Sequence, residues 1–134
     1  MATLTPNLTL TCSDCTTDSL AFTATDSLSI AGDVVLKRIQ LDASEAEILT
    51  NQNLIPSTYN KVYVFIKNLD SSANVTLGFD DNDSTDDDTL EVKYMHLAPG
   101  EFAFFPWASD GGNLVADASA GTPIIELMIF EATA

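Results

Sequence analysis

Positive charge is scarce in this sequence. Five Lys and Arg stand against twenty Asp and Glu in 134 residues, a formal net charge of −15 at pH 7. A surface so acidic repels phosphate backbones, which argues against direct binding to nucleic acid. Histidine is rarer still: His96 is the single possible base for a Ser-His-Asp triad. It falls in the run Tyr94-Met95-His96-Leu97, and there is no Gly-x-Ser-x-Gly elbow, so it reads as a structural or surface residue. Gly-rich phosphate loops are absent as well. No apolar run approaches the ~20 residues that span a bilayer, so no membrane partner is expected. The start, Met1-Ala2-Thr3-Leu4-Thr5-Pro6, has neither a basic nor an apolar leader segment, and the expectation is synthesis and folding in a cytoplasm. Cysteine occurs twice, as Cys12-Ser13-Asp14-Cys15. A zinc site needs four ligands, and a redox motif needs a strand–helix–strand setting, neither of which is present. Both cysteines read as small residues at the end of an N-terminal strand.

What is present is alternation. Leu4, Leu8, Leu10 and Cys12 alternate with polar residues, and Leu20, Phe22 and Ala24 follow the same rule. Val35, Ile39 and Leu41 share a face that Lys37 interrupts. Val62, Val64 and Ile66 oppose Tyr63, Phe65 and Lys67; Val75, Leu77 and Phe79 come next, then Leu90, Val92 and Tyr94, then Phe102 and Phe104. Last, Ile125, Leu127 and Ile129 oppose Ile124, Met128 and Phe130. Period two is the strand period, and runs this short separated by turn residues predict an all-β chain. The expected fold is an antiparallel β-sandwich, jelly-roll-like, of about eight strands. One helical turn is expected at Ser44-Glu45-Ala46-Glu47, which has capping-box spacing before Ile48 and Leu49.

Residues 1–33 differ from the remainder: they hold no Lys or Arg and are rich in Thr and Ser. They read as N-terminal strands that serve either as an ordinary sheet edge or as an inter-subunit arm, with residues 34–134 forming the sandwich core. On the arm reading, Leu8, Leu10 and Phe22 are candidate interface residues. A homo-oligomer follows, because ordering each backbone residue costs about 1–2 kcal/mol and a poorly buried segment needs cover from elsewhere.

Two clusters bear on binding. Asp80 to Asp88 carries six aspartates in nine residues and is followed by Glu91. With Asp80 as position 1, the residues Asn82, Ser84, Asp86, Asp88 and Glu91 fall at the oxygen-ligand offsets of a calcium loop. Thr85 stands where the sharp turn of such a loop wants Gly, and the flanks read as strands. A solvated hairpin tip is the plainer reading, with Ca²⁺ the cofactor if there is one. Aromatic residues gather at Phe102, Phe104, Phe105 and Trp107. Alternation suggests that Phe102 and Phe104 enter the core while Phe105 and Trp107 lie on the opposite face, at a subunit interface or on a carbohydrate-stacking platform. With twenty acids in the chain, a suitably spaced carboxylate pair has no specificity as a glycosidase signal, so no catalytic residue is assigned.

The stretch Leu97-Ala98-Pro99-Gly100-Glu101-Phe102-Ala103-Phe104-Phe105-Pro106 resembles a recurring element of small phage virion proteins. Thr5-Pro6-Asn7-Leu8-Thr9-Leu10-Thr11, Thr17-Asp18-Ser19-Leu20 and Gly121-Thr122-Pro123-Ile124-Ile125-Glu126 through Glu131 are similar to structural proteins of marine and cyanobacterial tailed bacteriophages. The resemblance implies a non-enzymatic virion protein, most naturally a capsid decoration or cement protein. It would be made in the host cytoplasm, dock on other virion proteins such as the major capsid protein, and form a homotrimer. A tail or fibre component is the alternative within that family. A carbohydrate-binding module, calcium-dependent if the aspartate loop takes part, is the alternative outside it.

The aspartate loop carries almost no apolar surface, so the core does not depend on it. Replacing Asp81, Asp83 and Asp87 by Asn is expected to leave the melting temperature unchanged or to raise it by relieving like-charge repulsion. A calcium-induced rise of several degrees in the wild type, lost in the triple variant, would instead establish a divalent site.

Overall fold

The computed structural model describes residues 2–13, 20–43, 47–48, 61–80, 92–108 and 113–132. Among them every regular element is a strand: β1 (Ala2–Leu4), β2 (Asn7–Cys12), β3 (Leu20–Thr25), β4 (Leu28–Gln40), β5 (Glu47–Ile48), β6 (Val62–Asn68), β7 (Val75–Asp80), β8 (Val92–Leu97), β9 (Phe102–Trp107), β10 (Asn113–Ala118) and β11 (Ile124–Ala132). They form a five-stranded sheet ordered β1-β4-β11-β6-β9, a four-stranded sheet ordered β5-β10-β7-β8, and a separate β2-β3 ribbon. All the pairings are antiparallel. With β1 and the ribbon set aside, the chain shuttles between two sheets of four strands, the jelly-roll order.

The alternating pattern has its physical origin in the space between the sheets. Val62, Val64, Ile66, Ile125, Leu127 and Ile129 from one sheet meet Val75, Leu77, Leu97, Leu114, Ala116 and Ala118 from the other, all buried. Each is the inward member of its strand, and the stretch between two inward residues is a turn or an outward side chain. Partly buried Val35, Ile39, Met95, Ala103, Phe105 and Trp107 extend this layer toward its margins.

Among the described residues two polar side chains are buried, Glu131 and, completely, Asn68. Its Nδ2 donates to the carbonyls of Ala73 (2.8 Å) and Leu97 (3.2 Å), and its Oδ1 accepts from Asp70 N (3.0 Å). Its backbone takes part too, donating to Glu101 O at 2.9 Å and accepting from Gly100 N at 3.1 Å. One side chain therefore ties the end of β6, the β6–β7 loop and the β8–β9 turn together. That turn is Ala98-Pro99-Gly100-Glu101, closed by Glu101 N to Ala98 O at 3.0 Å. Gly100 has φ +80°, the left-handed position that a Pro-Gly type II turn requires. Beside it Asp70 accepts from Ser72 N (2.7 Å) and Ala73 N (2.8 Å), and these bonds hold its carboxyl below the ordinary range.

Several expectations change in detail. Glu47–Ile48 pairs with β10 rather than completing a helical turn, because Val115 and Ala116 supply ladder partners; residues 44–46 lie outside the described residues. β10 is a strand that period-two reading passed over, since Leu114, Val115 and Ala116 are buried in succession and do not alternate. The N-terminal strand is two, split at Thr5-Pro6. β1 pairs with Leu28, Ser29 and Ile30 of its own chain, and β4 runs unbroken through position 33. Of residues 1–33, it is the β2-β3 ribbon that stands apart from both sheets. Cys12 ends β2 as expected but is disulfide-bonded, which the sequence reading did not anticipate.

Replacing Asn68 by Leu leaves Ala73 O, Leu97 O and Asp70 N without their partner, and a buried unpaired group costs about 1–3 kcal/mol. The expected loss is roughly 2–4 kcal/mol, read as a lower urea midpoint at unchanged slope. A midpoint within error of wild type would remove Asn68 from this role.

Candidate interaction surface

The strand pairing also settles the outward face of the five-stranded sheet. Register places Val34 beside Phe130, Phe130 beside Tyr63, and Tyr63 beside Pro106. The next row out is Leu36, Met128, Phe65 and Phe104, and a third is Arg38, Glu126, Lys67 and Phe102. Two adjoining rows are therefore apolar across four strands, and the third is mostly charged. Leu36 is 63% exposed, Phe102 59% and Val34 52%. Contiguous apolar surface of this kind makes the face a candidate interaction site.

The rings order one another. Tyr63 stacks on Phe104 with centroids 6.0 Å apart, and Phe65 lies tilted against Phe102 at the same distance. Lys61 Nζ sits 4.7 Å from the Tyr63 centroid, a cation–π contact at the end of the row. Arg38 donates to Glu126 Oε2 through Nε (3.3 Å) and Nη2 (3.2 Å). That pair is solvent-exposed on the Arg38 side and adds little stability.

The aromatic strand reverses the expected orientation. Phe102 and Phe104 face outward, whereas Phe105 and Trp107 turn toward the core and meet edge to face at 6.4 Å. The reason is register: Phe105 pairs with Val64 and Trp107 with Val62, both fully buried, so their side chains share the inner face. The inward Trp107 and Phe105 line a cavity of about 400 Å³ at the seam between β9 and β8, with Gly78, Tyr94, Met95 and Leu114. Trp107 Nε1 is buried there with no hydrogen-bond partner among the described residues. Trp107 is thus not part of an open sugar-stacking platform.

A second apolar surface belongs to the ribbon. Leu8 pairs with Ala24 and Leu10 with Phe22, so these share one face with Cys12 while Asn7, Thr9, Thr11, Ala21, Thr23 and Thr25 take the other. Leu8, Leu10 and Phe22, read from sequence as interface residues, are 45%, 46% and 51% exposed. The ribbon continues the β1–β4 pair across a bend at Thr5-Pro6 and Asp26-Ser27, where Asp26 N donates to Pro6 O at 3.3 Å. It overhangs the outer sheet face. A groove of about 800 Å³ separates Leu8 and Ala24 from Tyr63, Phe102, Phe104 and Pro106.

The remaining candidates fall elsewhere. Asp80 ends β7 opposite Asn113. Asn82, Ser84, Asp86, Asp88 and Glu91 lie outside the described residues, and among the described residues no group of three or more His, Cys, Asp or Glu could hold a metal. His96 is exposed on edge strand β8, opposite Thr76. Tyr94 is the extra residue of a bulge on that strand, where Met95 pairs with Leu77 and Lys93 with Gly78, an irregularity common on sheet edges. Among the described residues no helix is long and apolar enough to cross a membrane.

Outward positions bury little, so polarity there is cheap. Leu36→Ser and Phe102→Ser are each expected to change unfolding free energy by less than about 0.5 kcal/mol. Leu127→Ala, on the inner face, is expected to cost roughly 2–5 kcal/mol in the same urea titration. Comparable losses at all three positions would mean that the outer face is part of the core.

No family model matches the chain, and no curated protein matches it in sequence. Among solved structures it is similar to a subunit described under "Bacillus endospore appendages form a novel family of disulfide-linked pili". The superposition covers 80% of this chain and 91% of that one, with a TM-score of 0.53 and 15% sequence identity. At that identity the likeness is one of fold, an all-β sandwich used by a structural appendage protein.

Proposed function

We propose that this chain is a non-enzymatic structural subunit that works by docking its surfaces on other proteins of an extracellular particle. The observation that carries this reading is the outer sheet face, two apolar rows across four strands left open on a molecule of net charge −15. Such a surface gains by being covered, while the acidity elsewhere keeps the free subunit soluble and away from packaged nucleic acid. The motif resemblance supports placing it on the virion of a tailed phage, as a decoration protein seated on the major capsid protein. The similarity of fold to an appendage subunit favours a second reading, a tail or fibre component, because that architecture is used there for an extended protein assembly.

Purified tagged protein, incubated with particles of a phage encoding it and imaged after gold labelling, separates these readings. Label spread over the heads is the expected result, and label confined to tails transfers the protein to the fibre reading. Absence from every particle, together with selective binding on a glycan array, would replace both with a carbohydrate-binding module.

A further inference from the structure

We propose that the cavity between β8 and β9 is a binding site for a small, neutral, apolar molecule carrying one hydrogen-bond acceptor, such as a ketone, ester or ether. The inference is independent of the assembly reading and concerns a different part of the surface.

The cavity follows from the strand order. β8 and β9 are each the last strand of their sheet, so the apolar layer between the sheets opens to solvent where they meet. Phe105 and Trp107 reach into this seam from one side and Met95 and Leu114 from the other, and they bound about 400 Å³. Gly78 adds wall without adding a side chain. Tyr94, the extra residue of the β8 bulge and 60% exposed, stands at the mouth. The volume falls within the range of about 300–1,000 Å³ typical of small-molecule sites.

The chemistry of the walls selects the ligand. Trp107 Nε1 is buried and has no hydrogen-bond partner among the described residues. A buried donor left unpaired is unfavourable, and such a group in a folded protein calls for an explanation. Relaxation is hindered, because Trp107 pairs in register with fully buried Val62 and meets Phe105 edge to face at 6.4 Å. An indole N–H donates and cannot accept, so its complement is an acceptor atom.

Water suits the site poorly. An enclosed water wants two to four polar partners, and the described side chains lining the seam are apolar apart from this donor and the Tyr94 hydroxyl at the mouth. An ion suits it no better. The described lining residues include no Lys, Arg, Asp or Glu, so a charged ligand would lose its hydration with nothing to replace it. What fits is a neutral molecule whose body covers Met95, Leu114 and Phe105 while one acceptor meets the indole. A site of that design rejects an analogue lacking the acceptor, because its own donor is then left unpaired.

Trp107 is the single tryptophan of the chain, so one indole signal in a proton–nitrogen correlation spectrum reports the site. The full-length protein is titrated with acetophenone and with ethylbenzene, which share a skeleton and differ by the carbonyl group. Both are expected to shift the methyl signals of Met95 and Leu114, with dissociation constants roughly millimolar or tighter. Acetophenone alone is expected to move the indole proton downfield, as a new hydrogen bond does. Trp107→Phe keeps an aromatic ring and removes the donor, and the ratio of acetophenone to ethylbenzene affinity is expected to fall about five-fold. Absence of any shift at Met95, Leu114 and the indole, with either probe at its solubility limit, overturns the inference. Equal responses of the indole proton to both probes, or an affinity ratio unchanged by Trp107→Phe, remove the acceptor requirement and with it the proposed ligand class. Should Trp107→Phe not fold, the wild-type comparison of the two probes decides by itself.

Discussion

Everything in this molecule hangs on the apolar layer between the two sheets. Val62, Val64 and Ile66 on β6 and Ile125, Leu127 and Ile129 on β11 form the middle of one inner face, and β7 and β10 supply the other. Once these side chains leave water, the strand period dictates that Tyr63, Phe65, Met128 and Phe130 point away from them. The outer face is thus a geometric consequence of the core. Its hydrophobicity is not, since polar residues would satisfy the same fold.

Buried polar groups lie at both ends of the sandwich, Glu131 beside Val62 at one and Asn68 at the other. Asn68 is satisfied through its side chain and its backbone at the place where β8 hands the chain across to β9. The connection between sheets is where a sandwich must bury backbone away from a ladder, and a side chain with both donors and an acceptor meets that need. At the opposite end, where the ribbon departs and β9 finishes, the surface is open and aromatic.

The likeness to a spore appendage subunit concerns architecture alone, and jelly rolls serve many purposes. Information about partners would lie on surfaces, here the apolar rows and the basic residues Arg38, Lys61 and Lys67 beside them.

That β11 and β6 lie inside their sheet came from the pairing, but alternation alone determined that this chain is all-β and that Leu8, Leu10 and Phe22 share a stripe. It also located the Pro99-Gly100 turn, because few residue pairs suit a type II turn. Other features required the tertiary structure. Period two divides Phe102 and Phe104 from Phe105 and Trp107 but does not say which pair is inside; pairing with Val62 and Val64 decides that. β10 escapes the pattern because Leu114, Val115 and Ala116 are buried on both faces. The separation of β1 from the ribbon depends on a long-range partner, β4, that local sequence does not specify. Composition and period report what each strand needs, whereas the facing of a strand and the neighbour that meets its need arise only when distant segments compete for the same core.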